Sequence, residues 1–181
     1  MGDIVFVLGG ARSGKTAFAQ GLAGAFQKSG GPPVTYIATA EGGDEEMRRR
    51  IAKHRESRPG SWKTIEEPLY PSRVLAAAGD SCALLLDCLT LLISNHMMAG
   101  EGLPPEELEK SILTETRRFL DAAEGGPVPT IIVSNEVGVG LLSPNALGRL
   151  FQDISGAVHQ LVAARAGEVY FLVAGIPQKL K

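Results

Sequence analysis

Cysteine is scarce in this chain: Cys82 and Cys88 are the only two. Two cysteines build no disulfide framework, and without a CxxC spacing they suggest no zinc site. Both are read as reduced core thiols of a cytoplasmic protein. An excess of positive charge is missing too. Eighteen Lys and Arg face 20 Asp and Glu, for a formal charge of −2. That balance argues against a general nucleic-acid binder, although it leaves room for a local basic patch. No apolar run approaches the roughly 20 residues that cross a bilayer, so no membrane insertion is expected. Gly2 leads straight into IVFVLGG without a basic flank or cleavage site, so no signal peptide is expected. N-myristoylation after Met1-Gly2 would call for Ser or Thr where Phe6 stands. Repeats, low-complexity tracts and convincing linkers are absent as well. The simplest organisation is a single domain over residues 1–181, in which 44% hydrophobic residues suffice for a core.

What is present is a rhythm of short apolar runs. IVFVL (4–8), VTYIA (34–38), ALLLD (83–87), TIIVS (130–134) and VYFLV (169–173) are each too uniform to be half-exposed strands, and read as buried parallel ones. Helical patterns separate them. Residues 15–28 carry Phe18, Leu22 and Phe26 at intervals of four. Residues 44–57 have Asp44 as an N-cap, acids in the first turn and Pro59 just past the end. Residues 104–126 open with prolines and close on Gly-Gly, and 145–167 close on Gly167. Strands alternating with helices predict an α/β fold with a mainly parallel sheet flanked by helices.

The first strand runs into GGARSGKT (9–16), and a helix follows at once. This is G-x-x-x-x-G-K-[ST] in its strand–loop–helix setting, a P-loop. Gly9 and Gly14 let the backbone wrap a phosphate, and the N–H groups of Gly10, Ala11, Arg12 and Ser13 can point inward. The helix adds its positive end. Lys15 reaches the β and γ phosphates, and the Thr16 hydroxyl can ligate Mg2+. Asp87, closing an apolar strand, is the matching metal carboxylate; the competing reading is a cap for a following helix. Asn135 and Glu136 in SNEVGVG (134–140) also follow a strand, where a site role and a loop-structural role both stand open.

RIAKHRESRP (50–59) sets His54 among Arg50, Lys53, Arg55 and Arg58. By spacing, Met47, Ile51 and His54 share one helix face, which taken alone makes His54 a half-buried structural histidine. The arginines could equally be a solvated cationic face. The chemical alternative is sharper. Neighbouring cations favour a neutral imidazole, and a neutral imidazole is a nucleophile. The same guanidinium groups suit a triphosphate and the charge that develops when phosphorus is attacked.

GGARSGKT, YIATA (36–40), RIAKHRESRPGSWKTIEEP (50–68), LLLDCLT (84–90), SNEVGVG and VYFLVAGIPQKLK (169–181) occur in this order. Together they resemble the bifunctional adenosylcobinamide kinase/adenosylcobinamide-phosphate guanylyltransferases of cobalamin biosynthesis, over essentially the whole chain. The resemblance implies a RecA-like P-loop fold and a homo-oligomer, so the expectation is a homotrimer. It implies that ATP or GTP phosphorylates adenosylcobinamide with Mg2+. GTP then guanylylates a histidine, and GMP passes to adenosylcobinamide phosphate, releasing pyrophosphate. The matching histidine is His54. Nucleotide contacts carry over to Gly9 through Thr16, to Ala38, Thr39 and Ala40, to Arg55, Glu56, Ser57 and Arg58, and to Glu66 and Asp87. Family members can have Glu where Asp87 stands; the shorter side chain leaves open whether it meets metal or guanosine. The alternatives are a P-loop kinase or RecA-like NTPase for another small metabolite, with His54 structural, and a nucleotide-gated assembly protein.

Overall fold

Four of the five apolar runs form strands buried along nearly their whole length: β1 (Ile4–Gly9), β2 (Val34–Ala38), β4 (Ala83–Asp87) and β5 (Thr130–Asn135). The computed structural model describes residues 3–43, 45–56, 58–78, 83–126 and 129–181, apart from the side chains of Met47, Arg50 and Ala78. Asp44 as a helix cap, Met47 on a buried face, Ser57 as a nucleotide contact and Cys82 as a core thiol lie outside the described residues. Cys88 is buried and free.

The sheet also contains β3 (Lys63–Glu66), β6 (Glu168–Val173) and β7 (Ile176–Lys179), in the order β3-β2-β4-β5-β1-β6-β7. Every pairing is parallel except that of β6 with β7. One strand, β5, separates the phosphate-loop strand β1 from the Asp87 strand β4. The expectation of full burial fails for β6, where Tyr170 and Phe171 are half-buried and Val173 is exposed. The helices pack mainly over β1, β2, β4 and β5, so β6 is less covered.

Strand alternation sorts the core into two layers. Phe6, Leu86 and Ile132 face helices α4 (Leu89–Ala99), α5 (Pro105–Gly125) and α6 (Ala146–Arg165). Val7, Tyr36, Leu85 and Val133 face helix α1 (Lys15–Lys28), which packs through Ala19 and Ala23. On α5, Leu108, Ile112, Phe119 and Leu120 are buried at helical spacing. Burying each such side chain contributes about 1.5–3 kcal/mol relative to exposure. Asn145 caps α6 by accepting from the Gly148 N–H at 2.6 Å. Helix α3 (Pro71–Ala78) is fastened to α5, because the Ser72 N–H donates to the buried Glu115 carboxylate at 3.0 Å.

Parallel strands place all their C-terminal ends along one edge. The register therefore lines up Gly9 with Asn135, and Ala38 with both Asp87 and Glu66. Helix α2 (Glu45–Glu56) follows β2 from this same edge.

Candidate functional site

The phosphate loop is shaped by what a side chain would disrupt. A Cβ on Gly9 would stand 2.4 Å from Ser13 Oγ and 2.8 Å from the Leu172 carbonyl oxygen. Gly14 caps α1 at φ 91°, a left-handed conformation that glycine adopts without strain. The loop is anchored on both sides. The Glu136 N–H donates to the Gly9 carbonyl at 3.0 Å, and the Gly175 N–H donates to the Ser13 carbonyl at 2.9 Å. Lys15 Nζ folds across the loop and donates to the Gly10 carbonyl at 3.0 Å. Burial lowers the Lys15 pKa, with Cys88 and Asp87 opposing.

Thr16 and Asp87 come together as the sequence expected: Thr16 Oγ1 donates to Asp87 Oδ2 at 3.1 Å. Tyr36 OH donates to the same oxygen at 2.5 Å. Both oxygens are hard donors, the type that Mg2+ takes. The next residue, Cys88, is buried, and its thiol is pushed up to about 11 by burial and then by the Asp87 charge. A neutral thiol at that pKa is a packing group.

At the end of β2, Thr39 is fully buried and acts as a latch. Its hydroxyl donates to the Cys88 carbonyl and accepts from the Cys88 N–H, both at 2.8 Å. Its own carbonyl accepts from Asn95 Nδ2 at 2.8 Å. Ala38 is buried and Ala40 half-buried beside it. These residues fix the β2 and β4 ends relative to each other.

His54 is exposed on α2, which replaces the half-buried placement expected from spacing. The reason is that α2 lies against the molecule loosely: Ile51 is half-buried, whereas Ala52 through Glu56 are exposed. The other two histidines are both 7% exposed. His96 Nε2 meets the Leu69 carbonyl oxygen at 2.7 Å, and His159 Nε2 meets Ser134 Oγ at 2.8 Å. Arg55 reaches Glu66 at 3.9 Å in an exposed pair, the kind that contributes little. Glu56 is exposed.

The chain is tightly held again just after α2. Arg58 Cζ lies 3.7 Å from the centroid of the Tyr36 ring, and its Nη1 donates to Thr64 Oγ1 at 3.4 Å. Trp62 Nε1 donates to Gln27 Oε1 on α1 at 3.0 Å. An exposed helix carrying His54 thus ends in a segment fastened to the phosphate-loop side of the sheet.

For Asn135 and Glu136 the side-chain contacts are those of loop anchors. Asn135 Nδ2 donates to Thr90 Oγ1 at 2.7 Å. Glu136 accepts from the Gly138 N–H at 2.5 Å and lies 3.6 Å from His159 Nδ1. Burial lowers the His159 pKa, against the pull of Glu136.

Sequence reasoning missed Tyr36, Thr90 and His159. For Tyr36 there was a usable signal, since a tyrosine inside a buried strand requires a partner for its hydroxyl. Among the described residues, no group of three or more His, Cys, Asp or Glu is arranged to hold a metal, and no helix is long and apolar enough to cross a membrane.

A parallel sheet with a glycine-shaped loop, a buried lysine and a Thr–Asp pair at its C-terminal edge defines a P-loop nucleotide-binding protein. The chain belongs to the cobinamide kinase / cobinamide phosphate guanyltransferase family, which matches residues 5–180. It is 42% identical over 176 residues to the "Bifunctional adenosylcobalamin biosynthesis protein CobP" of Pseudomonas aeruginosa, covering 97% of this chain and 95% of that one. It is 38% identical over 186 residues to the "Bifunctional adenosylcobalamin biosynthesis protein CobU" of Salmonella typhimurium, covering 98% and 99%. The protein of the same name in Escherichia coli is 36% identical over 185 residues, with the same coverage. A solved KaiC-like protein of Pyrococcus horikoshii aligns over 93% of this chain and 70% of its own, with TM-score 0.49 and 18% identity. The protein is therefore a transferase of this family.

Proposed function

We propose that this chain phosphorylates adenosylcobinamide and then converts the product to adenosylcobinamide-GDP through a guanylylated His54. In the first step, the hydroxyl oxygen of the aminopropanol arm bonds to the γ phosphorus of ATP or GTP. The bond from γ phosphorus to the bridging oxygen breaks, the nucleoside diphosphate leaves, and the hydroxyl proton is released to solvent. In the second, a His54 ring nitrogen attacks the α phosphorus of GTP, and pyrophosphate leaves. A phosphate oxygen of adenosylcobinamide phosphate then displaces the imidazole from that phosphorus.

The residues suit these roles. Gly9 through Thr16 grip the β and γ phosphates, which serves the kinase step directly and stabilises pyrophosphate as it departs in the second. Thr16 and Asp87 would hold Mg2+, which neutralises charge on those phosphates when bound. Arg55 and Arg58 flank the nucleophile and complement charge developing at the α phosphorus. Covalent capture divides nucleotidyl transfer into two displacements, so nucleotide and corrinoid need not react in one collision. A cytoplasmic homotrimer belongs to the same proposal.

The observation that carries the reading is that His54 is the exposed histidine, on the helix that runs into the anchored Arg58, while His96 and His159 are buried. Intact-protein mass spectrometry after incubation with GTP and Mg2+ tests it. A GMP-sized adduct mapped to His54 is expected; an unlabelled wild-type protein would remove the guanylyl half.

A further inference from the structure

We infer that Tyr36 is a positioning residue for this site, tying the Asp87 carboxylate beside the phosphate loop to the Arg58 guanidinium at the end of the His54 helix. The inference rests on the function proposed above for those two residues. Tyr36 itself is 1% exposed, so it acts through its neighbours.

Its hydroxyl donates to Asp87 Oδ2, the oxygen that also accepts from Thr16 Oγ1. Two donors on one oxygen fix the carboxylate plane and so fix where its other oxygen faces.

The opposite element of the same side chain holds the arginine. Arg58 Cζ lies 3.7 Å from the Tyr36 ring centroid, a cation–π stack. Arg58 Nε is buried without a hydrogen-bond partner among the described residues, and Nη1 donates to Thr64 Oγ1 at 3.4 Å. A half-buried guanidinium stacked on a ring face keeps its charge available to a phosphate. Tyr36 Cα pairs with Leu85 on β4 and with Thr64 on β3. The strand register therefore sets the ring between the two groups it orients.

The test separates hydroxyl from ring, using binding of a fluorescent GTP analogue to the full chain. Tyr36→Phe removes the hydroxyl and keeps the ring. It is expected to raise the Mg2+ concentration needed for half-maximal binding by about 10-fold or more, the size usual for loss of a ligand's supporting hydrogen bond. Binding at saturating Mg2+ should stay within about threefold of wild type, because the stack on Arg58 survives. Tyr36→Leu should show the same metal shift and also bind at least about 10-fold more weakly at saturating Mg2+, as expected from lost charge-assisted contacts. Thermal melts check its folding. If the leucine variant does not fold, Arg58→Met carries that arm, with weakened binding and a wild-type Mg2+ midpoint. A wild-type Mg2+ midpoint in Tyr36→Phe overturns the inference, as does undiminished binding in both Tyr36→Leu and Arg58→Met. Both readouts are binding measurements. A wild-type protein that forms no GMP adduct would sink the transfer reaction alone and leave this result standing.

Discussion

Thr16 Oγ1 and Asp87 Oδ2 lie 3.1 Å apart although 71 positions separate them in the chain. Strand order explains the meeting. The phosphate loop leaves β1 and Asp87 ends β4, with only β5 between them, and helix α1 starts on the face towards which Asp87 alternates.

That geometry makes the loop intolerant of change. Gly9→Ala would drive a methyl into Ser13 Oγ and the Leu172 carbonyl. Lys15→Ala would remove the loop's buried cation. Each is expected to reduce kinase turnover by roughly 100-fold or more, the usual scale for losing a preorganised electrostatic contact. Phosphorylation of adenosylcobinamide with radiolabelled ATP and GTP measures it.

His54→Ala is expected to separate the two activities. The GMP adduct should vanish while kinase turnover stays within about threefold of wild type, since the nucleophile takes no part in the first displacement. Because His54 is exposed, the stability change should stay within about 0.5 kcal/mol. Mass spectrometry and a kinase assay on one preparation decide it.

His159 is expected to make stability depend on pH. Its folded pKa is lowered from the model-compound value of 6.5, because burial outweighs the attraction of Glu136. The unfolded chain therefore takes up the proton more readily, so acidification favours unfolding. The stabilisation is complete above about pH 6.5 and is lost as pH falls from there through the lowered folded value. Thermal melts between pH 8 and 5 should show Tm falling over that window, and His159→Gln should flatten the trend. An unchanged slope in that variant would refute the assignment.

Arg165 joins α6 to α5 by a forked contact, with Nε and Nη2 on the Glu124 carboxylate at 2.7 and 2.6 Å and Nη1 on Asp121 at 2.7 Å. The Arg165 hydrogen bond holds the Glu124 carboxyl below its ordinary pKa. Arg165→Lys cannot reproduce the fork and is expected to cost about 1 kcal/mol. Urea unfolding should show a lower midpoint at unchanged m value.

The legible elements were those in which one local pattern sufficed. β1, β2, β4 and β5 announced themselves as uniform apolar runs, and α1, α5 and α6 by helical spacing or end signals. Helix α4 was missed because Leu89, Thr90, Leu92, Ile93, Asn95, His96 and Met97 are all buried, so its sequence shows no amphipathic stripe. β3 and β7 are short edge strands, half-exposed or exposed throughout, and Pro177 argues against a strand until its edge position is known. Helix α3 was likewise not marked by pattern; its Ser72 N–H finds its partner, Glu115, on another helix.

Within the site the same division holds. GGARSGKT determined a phosphate-binding loop by itself, because turn, backbone approach and helix start are encoded in contiguous residues. The order of motifs determined the family. Only tertiary structure decided that His54 stands exposed, that Thr39 is spent as a latch, and that Tyr36 lies between Asp87 and Arg58. Those outcomes depend on strand order and register, which bring together residues that no local spacing relates.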